Sequence, residues 1–344
     1  MATPAVKILT KVQVGQEAVA PGTAADATRC LLAQARYTWQ QDVYEFTDQD
    51  MGVFARVPRQ GVITRHGSEI ELTTPMDFQQ ILLPLLSGVK GAVTPTGGGA
   101  DKTWTFTPAT ATAPAIDTYT VEFEEASGSD VAELEFYYGH TTEIEITATD
   151  DGVPELRWVM RGRKTVEGTK TAAIGKPTLV YAPNARWGVW VDDTWATLGT
   201  AQKTGQVYGF RWTYRGQVHP AFYLDNRSDL DFTQTEQAKP EVEIEMDVVH
   251  DPDSASLVQD EETHKAAQDL RFVQLKLTGA ALGGSNYSVS LLGSFYHAGD
   301  SMASRGEDRD GNLITRVHLV SAYDPTSTNQ ASIVVVNNLA SFPA

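Results

Sequence analysis

The chain has 344 residues, 41% of them hydrophobic and 21% charged, which is enough apolar material for a sizeable core and too much for a disordered chain. Its 44 acidic residues against 27 basic ones give a formal charge of −17, which disfavours a phosphate-binding groove or attraction to anionic lipid. Cys30 is the only cysteine, so an intrachain disulfide or a multi-cysteine metal site is excluded.

Residues 1–10 lack a charged region followed by an apolar run, and no stretch approaches 18 uninterrupted apolar residues. The sequence therefore predicts neither a signal peptide nor a membrane span, and points to a cytosolic protein or an assembly built in the cytosol. The first strands expected are at 36–39 and 69–72. A helix is expected next: Thr74 as cap, Pro75 in the first helical position and Asp77 in the first turn. Phe78, Ile81, Leu82, Leu85 and Leu86 share one face, Gly88 ends it, and Pro84 should kink or shorten it.

Strands follow at 104–107, 120–123 and 143–147, and then at 241–246, 271–278, 287–292, 313–320 and 333–336. They alternate or are rich in β-branched and aromatic residues, and Gly, Pro, Asn or Asp clusters bound them. A more polar helix is expected at about 256–270. Such alternation implies antiparallel sheets with one buried face, so the fold class is mainly β.

An internal repeat is legible. Arg36-Tyr37-Thr38-Trp39 with Val43 corresponds to Arg211-Trp212-Thr213-Tyr214 with Val218, at an offset of 175. Glu69-Ile70-Glu71-Leu72 matches Glu243-Ile244-Glu245-Met246 at an offset of 174, and Gly22-Thr23-Ala24 matches Gly199-Thr200-Ala201 at 177. Four matches in one order, near half the chain length, predict a duplicated β domain with units at 1–176 and 177–344. Between the paired strands of each unit runs a long segment, about 40–65 and 215–240, longer than an ordinary connection. Their aromatics, Tyr44, Phe46 and Phe54 in the first and Phe222, Tyr223 and Phe232 in the second, suggest partner-contacting arms. The other reading is an extended hairpin packed on its own domain.

Chemistry is sparse. Gly97-Gly98-Gly99 lacks the context of a P-loop or dinucleotide turn. The seven histidines show no zinc spacing, and residues 307–312 lack the terminal glutamate of a calcium loop. Asp310-Gly311 and Asp151-Gly152 read as hairpin turns. There is no Gly-x-Ser-x-Gly elbow, and Cys30 has no histidine nearby in sequence. No catalytic residue, metal site or cofactor is expected, and the chain does not read as an enzyme.

Several segments resemble the tail tube (major tail) proteins of long-tailed bacteriophages with non-contractile tails. They are KTWTFTP at 102–108, the strands at 119–124 and 133–139, TEIEI at 142–146, and the hairpin through Asp151-Gly152 to WVMRGR at 158–163. In the second half, WVDDTW at 190–195 followed by Leu198-Gly199-Thr200 is similar too. The resemblance implies two tandem tail-tube-like β-sandwich or barrel units, each with one short flanking helix. It implies a structural virion protein, assembled in the host bacterial cytoplasm, whose stacked rings form the hollow tail tube. Duplication would make a ring of three chains with pseudo-six-fold symmetry, the alternative being six chains. Implied partners are the chain itself, the tape measure protein, the tail terminator and the distal tail proteins, with no membrane. Genomic DNA would pass through a negatively charged lumen without specific binding, and Glu69, Glu71, Glu243 and Glu245 are the candidate lumen carboxylates. The rival reading is a carbohydrate-binding or carbohydrate-cleaving β protein. It needs aromatics gathered in one groove beside carboxylates.

Overall fold

A computed structural model describes residues 11–17, 22–45, 61–112, 115–127, 130–216, 218–224, 229–249, 255–302, 305–309 and 312–343. It is mainly β, with two α-helices among the described residues. In the first half the strands are β1 (Lys11–Gln16), β2 (Arg29–Leu31), β3 (Gln34–Glu45) and β4 (Gly61–Pro75). Helix α1 (Leu82–Gly88) precedes β5 (Lys102–Phe106), β6 (Tyr119–Ser127), β7 (Asp130–Ala148), β8 (Glu155–Gly162) and β9 (Lys164–Glu167). In the second half come β10 (Trp187–Asp192), β11 (Val207–Arg215), β12 (Val218–Ala221), β13 (Gln234–Gln237) and β14 (Glu241–Val249). Helix α2 (Ala255–Ala267) is followed by β15 (Arg271–Leu282), β16 (Ser285–His297), β17 (Arg305–Arg309), β18 (Asn312–Ser321) and β19 (Ala331–Asn337).

Every strand pairing is antiparallel. One sheet runs β2-β1-β6-β7-β9, and a second runs β3-β4-β8-β7. Strand β7 serves both because it turns a corner at Tyr138, whose φ is 59°, and Gly139. The same order of pairings recurs in the second half. There β10 pairs β15, β15 pairs β16 and β16 pairs β19, while β11 pairs β14, β14 pairs β18, and β18 pairs the end of β16 and then β17. Strand β10 meets Gln202 through Trp190 where β1 meets β2.

The halves join directly. Strand β11 pairs β14 on one edge and β7 on the other, from Phe210 opposite Ala148 to Arg215 opposite Glu143. A continuous sheet results, in the order β3-β4-β8-β7-β11-β14-β18-β17. Strand β5 leaves its own half and pairs β19. Alternation places Ile70, Leu72, Trp158, Ile144, Trp212, Ile244 and Leu319 on the buried face, within one apolar cluster that spans both halves. Fully burying such a side chain contributes roughly 1.5–3 kcal/mol.

The first helix differs from the sequence expectation. Thr74 and Pro75 end β4, and helix begins at Leu82. Proline fits a strand terminus as well as a helix start. Asp77 caps the intervening turn by accepting from the Gln79 and Gln80 amides. Pro84 lies in the first helical turn, where its missing N–H has no intrahelical partner to lose. The second helix lies within the expected segment and stops at Gln268, whose φ is 60°. No helix among the described residues is long and apolar enough to cross a membrane.

Candidate assembly surfaces

The four glutamates singled out by alternation, Glu69, Glu71, Glu243 and Glu245, point from β4 and β14 to the polar face of the continuous sheet. They do not stand alone there. Arg157 of β8 bridges Glu71 of β4 at 2.9 Å and Glu143 of β7 at 2.7 Å. Arg161 contacts Glu69 at 3.3 Å. On β11, Arg211 pairs with Glu145 of β7, and Arg215 pairs with Glu243 and Glu241 of β14. Arg316 of β18 reaches Asp247 at 3.0 Å.

Charge sign therefore alternates strand by strand: acidic on β4, basic on β8, acidic on β7, basic on β11, acidic on β14, basic on β18. Arg36 on β3, opposite Glu71, begins the series with a base. The hydrogen bonds that the Arg157 guanidinium donates to Glu71 and, less strongly, to Glu143 hold it above its usual pKa, against the opposing effect of burial. Arg215 is raised too, burial being outweighed by Glu243 and Glu241. Sequence reasoning missed these arginines because it counted carboxylates alone. The signal was present: Arg157 and Arg161, and Arg211 and Arg215, recur at even spacing and so share a face.

The two long segments behave differently. Tyr44, at the far end of β3, is exposed, while Phe46 and Phe54 lie outside the described residues. Near Tyr44, Trp39, Val43 and Val62 are exposed as well. The second segment forms the ribbon β12–β13 and folds onto the first half of its own chain. Phe232 is buried, 4.9 Å from the Tyr138 ring and 5.8 Å from His140. Arg163 donates to the Phe232 and Thr233 carbonyls and lies 4.6 Å over Tyr138. Phe222 is half-buried beneath Arg65, 4.8 Å away. Tyr223 is exposed and donates to Glu236 at 2.6 Å. Phe232 is thus an anchor within the chain, while Tyr223 and Leu224 face outward.

A second charged cluster lies at α2. Arg271 is buried against Asp193, Asp260 and Glu261, and His297 Nε2 lies 3.0 Å from Glu261. Burial opposes the charge on Glu261, but His297 and Arg271 overcome it and lower its pKa. Asp193, Asp260 and His264 are near enough to hold a metal ion, yet Arg271 already lies against both carboxylates. Cys30 is buried, and burial raises its thiol pKa, away from the reactive thiolate. Of the seven tryptophans Trp39 is exposed, Trp187, Trp190 and Trp195 are half-buried, and Trp104, Trp158 and Trp212 are buried. No protein-family model matches the chain, and no curated protein is significantly similar to it.

Proposed function

We propose that this chain is a tail tube protein of a long-tailed, non-contractile bacteriophage: a duplicated β unit that polymerises as stacked rings around a channel for DNA. One observation carries the reading. The continuous sheet is open at both ends, β3 pairing only β4 and β17 only β18 among the described residues. In the middle of the same sheet, β7 and β11 form the kind of junction that would join those ends. Open edges of this sort invite further strands, and a closed ring satisfies them all. Three copies joined this way would place six similar units around the axis.

The polar, charge-striped face is the candidate lumen. Arg157, Arg161, Arg211, Arg215 and Arg316 are engaged by carboxylates on neighbouring strands, which leaves them less available to DNA phosphates, and the overall charge of −17 adds repulsion at longer range. Glu69, Glu71, Glu243 and Glu245 act, in this reading, by occupying arginines as well as by repelling phosphate. Other virion tail components, the tape measure and terminator among them, follow as partners only if tubes form.

Negative-stain electron microscopy of the purified full chain tests the proposal. Hollow rings or tubes with three chains per ring are expected. Six chains per ring would keep the function and overturn the two-units-per-chain arrangement. Compact particles without rings at any concentration would overturn both.

A further inference from the structure

The repeated quartet exposes in one half what it buries in the other. Tyr214, last residue of Arg211-Trp212-Thr213-Tyr214, is fully buried and donates its hydroxyl to the Gly88 carbonyl at the end of α1, 3.3 Å away. Val218, four residues on, is 4% exposed, and Gly216 donates to the Thr142 carbonyl of β7. This stretch of the second half is thus seated in a corner of the first, between α1 and β7. The counterparts are uncovered: Trp39 is 51% exposed and Val43 48%. Among the described residues, the aromatic neighbour of Trp39 is the edge of His66, 6.0 Å between centroids.

The strand registers locate the equivalent corner in the second half. Ile70 opposes Met160, which opposes Thr141, and Ile244 opposes Leu319, which opposes His297. Thr141 therefore corresponds to His297, and each is tied to its helix, Thr141 through Ser87 and His297 through Glu261. Where Tyr214 fills the first corner, the second is an open cavity of about 570 Å³ between α2 and the end of β16, lined by Glu262, Lys265, Ala266, Tyr296, Ala298 and Met302. Tyr296 on its rim is 39% exposed.

We propose that Trp39 of one copy inserts into this α2–β16 cavity of a second copy, repeating between chains the seat that Tyr214 takes within the chain. The proposal deepens the tube reading and rests on it for the identity of the partner. It adds a specific anchor to the β3–β17 edge junction. A tryptophan in a desolvated pocket at the centre of a contact is the residue type that most often dominates binding.

Sedimentation velocity on the full chain tests it, with folding of each variant checked by circular dichroism. W39A keeps an intact cavity, whereas A266R keeps Trp39 and blocks the cavity from an exposed position. Each variant alone should weaken self-association by at least about tenfold. An equimolar mixture should form pairs and nothing larger, because it contains one intact contact per pair. W39A associating like the unaltered chain would overturn the Trp39 contact and leave the tube reading standing. Two dissociated variants whose mixture forms no pairs would also overturn it. An unaltered chain that never associates would overturn both readings.

Discussion

His140 is held neutral by its surroundings. It is fully buried, Nδ1 lies 3.3 Å from the Tyr138 carbonyl and Nε2 has no hydrogen-bond partner among the described residues. Burial lowers its pKa to about 4 from an unfolded value of 6.5. The unfolded chain binds the proton more readily, so this residue's contribution is fully present above pH 6.5 and falls away as pH drops towards 4. The loss should reach about 3 kcal/mol. Urea midpoints measured from pH 7 to 4 should decline over that interval, and His140→Phe should flatten the decline. Glu261 acts lower on the scale: its folded pKa is depressed, so its contribution is present above the unfolded value and is lost as pH falls through the folded one. Replacing Arg271 by alanine would leave Glu261 buried without its cation, at a cost of about 3–5 kcal/mol. Breaking the half-exposed Arg161–Glu69 contact with Glu69→Gln should cost less than about 1 kcal/mol in the same denaturation assay. The identity of such polar groups was legible in the sequence, but their partners were not. Arg271 meets Asp193 from 78 positions away, and no local pattern records that.

At the scale of elements, alternation revealed the strands because the continuous sheet has one wet face. Residues 143–147 and 241–246 show the pattern cleanly, and each lies inside an observed strand. The start of α1 was misplaced because Thr-Pro-x-Asp suits a strand end followed by a capped turn as well as a helix. Asp77 decides the local structure, accepting from two amides that α1's approach leaves without other partners. Asp77→Ala should therefore cost about 1 kcal/mol and Asp77→Asn less, read as a shift in thermal midpoint. The ribbon β12–β13 was the least legible element. Its aromatic content marked it as a contact segment, but only tertiary structure could show that the contact is with the first half of the same chain. In the first half Trp39 and Val43 are exposed where Tyr214 and Val218 are buried, and that asymmetry gives the assembly proposal its direction.

The sequence matches at an offset of about 175 residues fall on strands that pair in a similar order in the two halves. What the offset could not convey is how far the halves interpenetrate. Strand β5 of the first half pairs β19 of the second, from Lys102 opposite Asn337 to Phe106 opposite Ile333. Asn337 also donates to the Phe78 carbonyl and accepts from the Trp104 indole. Phe78 packs on Tyr287 at 5.7 Å, and β11 completes the β7 edge. Separating the halves would break two strand pairings, β7–β11 and β5–β19, and the core cluster that both contribute to. The whole chain should consequently unfold as one unit despite its length and its repeat. Urea unfolding followed by tryptophan fluorescence and by far-ultraviolet circular dichroism should give coincident transitions. The tryptophans sample both halves, with Trp104 and Trp158 in the first and Trp212 in the second. Two resolved transitions would mean that each half is stable without its neighbour, and β5 would then be an ornament rather than a tie. Coincidence would mean that the β5–β19 and β7–β11 pairings bind the halves into one cooperative unit, so the ring proposed above would flex at its proposed β3–β17 joints rather than within a chain.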